Sequence, residues 1–337
     1  MKNKILPLLS VFVILLCLAS CKKSSALIDS EGCFMDMNSA IEDARKNNRE
    51  ILVLITAQGE GTSAENEDFL NSVLKTEDFK NRIASKYTVM HANFTDELYE
   101  GTLAKDESKA AQKIAEENQD LLNGYLYLVQ LLMPEQSPAY FLMSKDEYML
   151  TEIKPQGELN SAEDFENAIN QYSDVVVQIE ALIEKTKSND ESEKIKAIND
   201  LFEGTYPYYR VFLADLVEQG IKLDKNNQYG YLSKFLLADA ENSAFVAYTE
   251  QNLEAAVSAY LNICTNEFLE PIDKQQAYYM AAYYLMFSGS TDITEITQYL
   301  QYAIQAYPEG PDVPVIQQTI DAIATSYDQN MGAQISN

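Results

Sequence analysis

The chain has 337 residues, with 52 Asp and Glu against 25 Lys and Arg and a single histidine, a net charge of −27. A surface of that sign repels polyphosphates and anionic headgroups, which excludes nucleic acid as a partner class. An apolar fraction of 46% supports packed cores, and the length predicts two domains.

The N-terminus opens with Lys2 and Lys4, followed by a mostly apolar stretch from Ile5 to Leu18. That stretch is too short to span a bilayer and has the layout of a secretory signal over residues 1–20. It ends in Leu18-Ala19-Ser20-Cys21, which resembles the lipobox of bacterial lipoproteins. The resemblance implies cleavage before Cys21 and a diacylglycerol on its sulfur, with each buried CH₂ contributing about 0.8 kcal/mol to anchoring. Lys2 and Lys4 leave with the signal, which moves the net charge from −27 to −29. Residues 21–34 then read as a lipidated tether that starts Lys22-Lys23-Ser24-Ser25. Lys22, rather than Asp, after the lipid site implies outer-membrane sorting in a Gram-negative host. No later apolar run is long enough to cross a membrane. The membrane partner is therefore reached through the lipid alone, and the expected location is the cell envelope.

The next elements alternate. Met37–Asn47 carries Ala40, Ile41 and Ala44 on one helical face. Ile51–Ile55 is a continuous apolar run that suits a buried central strand. Glu65–Leu74 fits a helix with Phe69, Val73 and Leu74 inward, and Thr76 caps a second helix carrying Phe79, Ile83 and Ala84. Tyr87–Phe94 returns as a strand. Glu107–Leu132 is helical, with a break expected at Asn123-Gly124. Ala139–Met143 and Tyr148–Ile153 are strands joined by the polar turn Ser144–Glu147, and Ser161 caps a helix running through Ala168.

After the first helix this is the βαβ–α–ββα order of the thioredoxin-like family, which residues 35–172 resemble. Ile51–Leu74 resembles that family's first strand, loop and helix, and Thr62-Ser63-Ala64-Glu65-Asn66 stands where its W-C-x-x-C motif would lie. Ser63 and Asn66 thus occupy the two redox positions. Pro138, directly before the run AYFLM, matches the family's cis-proline facing the active-site loop. Thiol–disulfide exchange needs an attacking thiolate and a resolving thiol, and neither serine nor asparagine supplies one. The resemblance implies the fold without its redox chemistry. Ser63 is expected instead to cap the following helix through its hydroxyl.

From Tyr172 onward strand signals stop. Eight amphipathic stripes follow, among them Val175–Ile183, Ile195–Phe202, Val211–Leu216, Leu232–Ala240, Leu253–Cys264, Ala277–Leu285, Ile296–Tyr307 and Ile316–Ala324. Short connections predict stacked helical hairpins over residues 173–327, with 328–337 as a flexible tail. The pattern Leu300–Ala303–Pro308 resembles the end of a tetratricopeptide repeat, although the period is irregular and an irregular helical bundle is the structural alternative.

Few residues in the chain carry chemistry. His91 lies between Met90 and Ala92 in a strand and reads as structural. Asp224-Lys225-Asn226 begins like a calcium loop, but Tyr229 replaces the required glycine and Phe235 the bidentate Glu. No phosphate loop or serine nucleophile elbow is present, so no cofactor, metal or catalytic residue is expected. Cys33 sits just outside the first helix, where exposure is expected, and Cys264 lies on an apolar helical stripe. A bridge between them and two free thiols both remain open. Tyrosines concentrate in the second half, and Tyr278, Tyr279, Tyr283 and Tyr284 cannot all face inward, which makes them the candidate binding surface. The expected function is a lipid-anchored binding, scaffold or chaperone-like protein with a protein or peptide partner in the envelope. The alternatives are a thiol oxidoreductase using Cys33 or Cys264, and a solute- or glycan-binding lipoprotein.

Overall fold

The structure, a computed structural model, describes residues 26–335. The signal segment, Cys21 and the first tether residues lie outside the described residues, as does the end of the expected tail. The chain divides into two compact units: residues 26–187 with 200–213, and residues 188–199 with 214–335. The first domain was expected to close at residue 172. The helix Ser173–Lys185 and the short 3₁₀ helix Pro207–Leu213 instead belong to the first unit. Among the described residues no helix is long and apolar enough to cross a membrane.

The first unit is built on a mixed four-stranded sheet. It contains β1 (Ile51–Gln58), β2 (Thr88–Thr95), β3 (Ala139–Met143) and β4 (Met149–Ile153), in the order β2-β1-β3-β4. β1 and β2 are parallel, whereas β3 runs antiparallel to both β1 and β4. Order and directions are compatible with a thioredoxin-like domain. Helices cover both faces of β1, so its first six residues are all buried, which explains a continuous apolar run in place of alternation. On one face Val53 and Ile55 pack with Ala40, Ile41 and Ala44 of α1 (Met37–Asn47). Buried Phe69, Tyr140 and Phe165 form another aromatic cluster in this unit, with ring centroids 4.8–5.2 Å apart.

Local chemistry starts and stops these helices. Asp36 Oδ1 accepts the Ser39 N–H at 2.8 Å to open α1, and Asn48 closes it in the left-handed conformation. α2 (Ala64–Phe69) continues into a π-helical turn, Leu70–Leu74. Thr76 caps α3 (Glu77–Phe79), its hydroxyl taking the Phe79 N–H at 3.1 Å, and a second π segment follows over Lys80–Ala84. After the short α4 (Asp96–Gly101), α5 (Lys109–Leu132) is unbroken. The break expected at Asn123-Gly124 is absent. A helical glycine costs only about 1 kcal/mol, and buried Leu122, Tyr125, Leu128 and Leu132 hold the helix on the core. Ser161 caps α6 (Ala162–Asn170) through the Asp164 N–H at 3.2 Å. Next, α7 (Ser173–Lys185) packs against β4. Tyr209 and Phe212 of the 3₁₀ helix join the same core as α5. Val211 and Phe212 were expected in an α-helical stripe and lie in 3₁₀ geometry instead.

Upstream of α1 the chain adds to the sheet. Phe34 bridges in parallel to Met90, its N–H donating to Val89 O at 2.9 Å while His91 N–H donates to Phe34 O at 2.8 Å. Residues expected to be tether are therefore folded from about Ile28 onward. Cys33 is 1% exposed, which corrects the expectation of a surface thiol.

The second unit is helical. α8 (Glu191–Gly204) begins in it. α9 (Ala214–Leu223), α10 (Leu232–Thr249), α11 (Leu253–Ile263), α12 (Pro271–Phe287), α13 (Ile293–Ala306) and α14 (Val313–Ile335) complete it. From α9 onward each helix packs on the next. Ala240, Ala244, Ala256, Ala277, Ala281 and Ala303 line the contacts, and such small side chains let helix axes approach closely. The rejected calcium-like stretch has a structural role: buried Asp224 accepts the N–H groups of Tyr229 and Tyr231, each at 2.8 Å, and so shapes the loop between α9 and α10.

Candidate functional site

Ser63, Asn66 and Pro138 are brought together at the end of β1. The chain leaves β1 through Gly59, whose φ of +136° and closeness to the Asp96 carboxylate leave no room for a side chain. Ser63 then opens α2 in an extended conformation. Its hydroxyl makes no capping bond to the helix, contrary to expectation. It donates to Ser137 O at 3.3 Å and accepts from Asn66 Nδ2 at 3.2 Å. The Ser137–Pro138 peptide bond is cis.

Asn66 is the centre of this arrangement and is 2% exposed. Its Oδ1 accepts the Ala57 N–H and the Ser137 hydroxyl, each at 2.9 Å. Its Nδ2 donates to Ser137 O at 2.9 Å and to Ser63 Oγ. Every hydrogen-bonding position of the carboxamide is used, which is what burial of such a group demands. The side chain joins the strand end, the helix start and the proline turn. Chemically it is inert: it has no proton to give at neutral pH and no nucleophile. Ser63 is exposed, and its hydroxyl bonds the Ser137 carbonyl and the Asn66 amide. The Glu65 carboxylate also bonds this side chain, and its own backbone N–H together with Ser63 holds it below the usual carboxylate range, which makes it a weak base.

A second polar group in this unit went unread in the sequence. His91 is 4% exposed; its Nδ1 lies 2.9 Å from Asp29 Oδ2 and its Nε2 2.8 Å from Thr56 Oγ1. Thr56 Oγ1 donates to Asn93 Oδ1 at 2.8 Å, and Asn93 Nδ2 donates to Gln58 Oε1 at 2.8 Å. The order carboxylate, imidazole, hydroxyl is that of a hydrolase triad. Thr56, however, is 0% exposed and spends its proton on Asn93, so no substrate reaches it. Burial pushes the Asp29 carboxyl up, and the His91 ring with the N–H groups of Cys33 and Glu31 outweighs it, holding the group below the usual carboxylate range. The chain of bonds pins the segment before α1 to the sheet. The only signal for it in sequence was a histidine in an otherwise apolar strand.

Both cysteines of the described residues are free and buried. Burial pushes the Cys33 thiol far up, and the carboxylates of Asp29 and Glu31 add to this. Burial likewise raises Cys264 to about 11, against small opposing effects of Lys274 and Tyr278. Such thiols hold almost no thiolate at neutral pH. Elsewhere in the first unit, a cleft of about 520 Å³ is lined by Arg49, Glu50, Lys145, Asp146, Glu180 and Glu184, among others. There burial and the neighbouring Glu180 raise the Glu50 carboxyl to about 7. Among the described residues no group of His, Cys, Asp and Glu is arranged to hold a metal ion.

The four candidate tyrosines divide. Tyr283 is 42% exposed, whereas Tyr278, Tyr279 and Tyr284 are half-buried. Tyr278 packs at a tilt against Tyr302 at 5.4 Å, and Tyr284 meets Tyr248 edge to face at 5.5 Å and Tyr260 at a tilt at 5.9 Å. They do not form one surface.

Residues 231–329 match a family described as an uncharacterised protein C-terminal domain. The match begins one residue before α10 and takes in most of the helical unit. A protein of Treponema pallidum (strain Nichols), named as an uncharacterized protein, is 25% identical over 291 residues, covering 86% of this chain and 89% of the relative. Among solved structures, a chain named DsbH oxidoreductase aligns with a TM-score of 0.29 and 11% identity, over 48% of this chain and 96% of that one.

Proposed function

We propose that the protein is a lipid-anchored envelope binding or scaffold protein, with a redox-silent thioredoxin-like unit and a tetratricopeptide-like helical unit that does the recognising. The observation that carries this reading is Asn66. At the position of a resolving cysteine stands a carboxamide with all its hydrogen-bonding capacity used in holding Ala57, Ser63 and Ser137. A nucleophilic site needs an attacking group and a base to activate it; here the polar atoms of Asn66 brace the loop. Consecutive packing from α9 to α14 supports a stacked-hairpin surface for a protein partner. The lipobox-like Leu18–Cys21 supports the anchor.

Two experiments test the two halves of the reading. In an insulin-reduction assay with dithiothreitol, the chain should match the rate without protein. Turnover lost in Cys33→Ser or Cys264→Ser would establish the oxidoreductase alternative, against which the burial and raised pKa of both thiols argue. Metabolic labelling with an alkyne fatty acid should mark the wild type and not Cys21→Ala, and equal labelling of both would end the lipoprotein reading.

A further inference from the structure

The helical unit carries a charge imbalance much steeper than that of the whole chain. Between Phe235 and Thr325 the only basic residue is Lys274, against twelve Asp and Glu. One group of aromatic rings stands exposed on this acidic unit. Tyr283 and Phe287, one turn apart on α12, are 42% and 64% exposed, with ring centroids 5.9 Å apart and planes only 13° from parallel. Tyr248 of α10 closes the group, 6.0 Å from Phe287 and 5.5 Å from Tyr284. On the same two helix faces Gln276 Nε2 donates to Glu241 Oε1 at 3.0 Å. The Glu241 carboxylate also acts on the Tyr284 hydroxyl, which burial first pushes up.

Three features of this patch favour a cation. Aromatic faces attract one through the ring quadrupole. Tyr248 and Phe287 lie at the C-terminal ends of α10 and α12, where the helix dipole is negative, and neither last turn contains a basic residue. The net negative charge of the unit raises the local concentration of positive ligands. Two exposed rings with planes only 13° from parallel present open aromatic faces and not a closed cage, which suits stacking of a planar guanidinium better than a compact ammonium. We infer that Tyr248, Tyr283 and Phe287 form a docking shelf for a basic protein segment, engaged by an arginine side chain lying on Tyr283 and Phe287. This inference rests on the reading of the helical unit as the recognition element and names the chemistry of its partner.

The test uses the purified full chain and fluorescein-labelled dodecapeptides of alternating Gly with Arg, Lys or Glu, followed by fluorescence anisotropy. The Arg peptide should bind, the Lys peptide more weakly, and the Glu peptide not at all. Added salt should weaken binding. The double variant Y283A/F287A should lose about tenfold in affinity for the Arg peptide. Both rings are exposed, so its circular dichroism spectrum should match that of the wild type, and Phe287→Tyr should retain binding. Equal affinity of wild type and Y283A/F287A for the Arg peptide would overturn the shelf, as would equal affinity for Arg and Lys peptides. Binding to phosphatidylcholine vesicles that vanishes in Y283A/F287A, without Arg-peptide binding, would reassign the patch to a lipid headgroup. Concentration-dependent self-association lost in the same variant would reassign it to a second copy of the chain. If instead an identified envelope partner binds wild type and Y283A/F287A equally, the scaffold reading stands and this inference alone fails.

Discussion

Replacing Asn66 tests the claim that its side chain is a structural brace. In Asn66→Ala the Ala57 N–H, the Ser137 hydroxyl, the Ser137 carbonyl and the Ser63 hydroxyl all lose a partner. Each bond contributes roughly 0.5–1.5 kcal/mol net, so four give about 2–6 kcal/mol. Ser63 is exposed and Ser137 half-buried, so water recovers part of this, and a loss of about 2–3 kcal/mol is expected. Urea unfolding followed by far-ultraviolet circular dichroism at neutral pH measures it. Asn66→Asp refines the test. The carboxylate keeps both acceptor roles but turns a lone pair toward Ser137 O in a site that is 2% exposed. Burial and that carbonyl raise the folded pKa above the unfolded value near 4. The folded state then holds its proton longer than the unfolded one, so the variant regains stability relative to wild type as pH falls through this range. An Asn66→Ala change within 0.5 kcal/mol of wild type, or an Asp variant with no pH dependence beyond that of wild type, would refute the brace.

Two further expectations concern the polar contacts of the sheet unit. Asp29→Ala removes one of the two partners of a 4%-exposed imidazole and the single oxygen that accepts the Glu31 and Cys33 backbone N–H groups, and should cost about 2–4 kcal/mol. It should also speed modification of Cys33 by a thiol reagent, mapped by mass spectrometry, because the carboxylate holds the loop that buries this thiol. Glu50 gives a pH signature. Its folded pKa of about 7 exceeds the ordinary 4.5, so between these values the folded chain keeps a proton the unfolded chain has released. Its contribution therefore falls as pH rises from 4.5 to 7. Thermal melts should show a flatter pH dependence in Glu50→Gln than in wild type over that window.

Much of the architecture was legible because a few residues carry strong local rules. Ile51–Ile55 suits a strand buried on both faces, and Thr76 and Ser161 announced their helices by capping chemistry that the structure contains. Other features depend on what a segment meets and not on what it is. Asn123-Gly124 reads as a break in isolation, but Leu122 and Tyr125 beside it are fixed on the sheet. The stripe read on α7 began at Val175, which is 46% exposed, whereas Val176 and Ile183 are buried, because packing on β4 decides which face turns inward. Single bridges at Ile28, Phe34 and Met90 are too short to leave an alternation, so the strand-like segment was read as tether. The site divided in the same way. Ser63, Asn66 and Pro138 were identifiable by position, whereas the role of Ser137, which bonds both Ser63 and Asn66, required three-dimensional proximity across about 70 residues.

The manner in which the sheet ends has a consequence for behaviour at high concentration. Exposed strand edges offer unpaired amides to other chains and promote association. Beside β2 the segment at Phe34 occupies part of that edge and is itself fastened by Asp29 and His91. At the far side β4 is five residues long and pairs with β3 through an irregular register at Leu142 and Met143. Charged Lys154 and Glu152 pair with each other at its end, 3.2 Å apart. A short, irregular, charged edge on one side and an occupied one on the other leave little template for intermolecular pairing. Loosening the Asp29 contact would uncover β2, so the bond between Asp29 and His91 helps keep that edge closed to other chains.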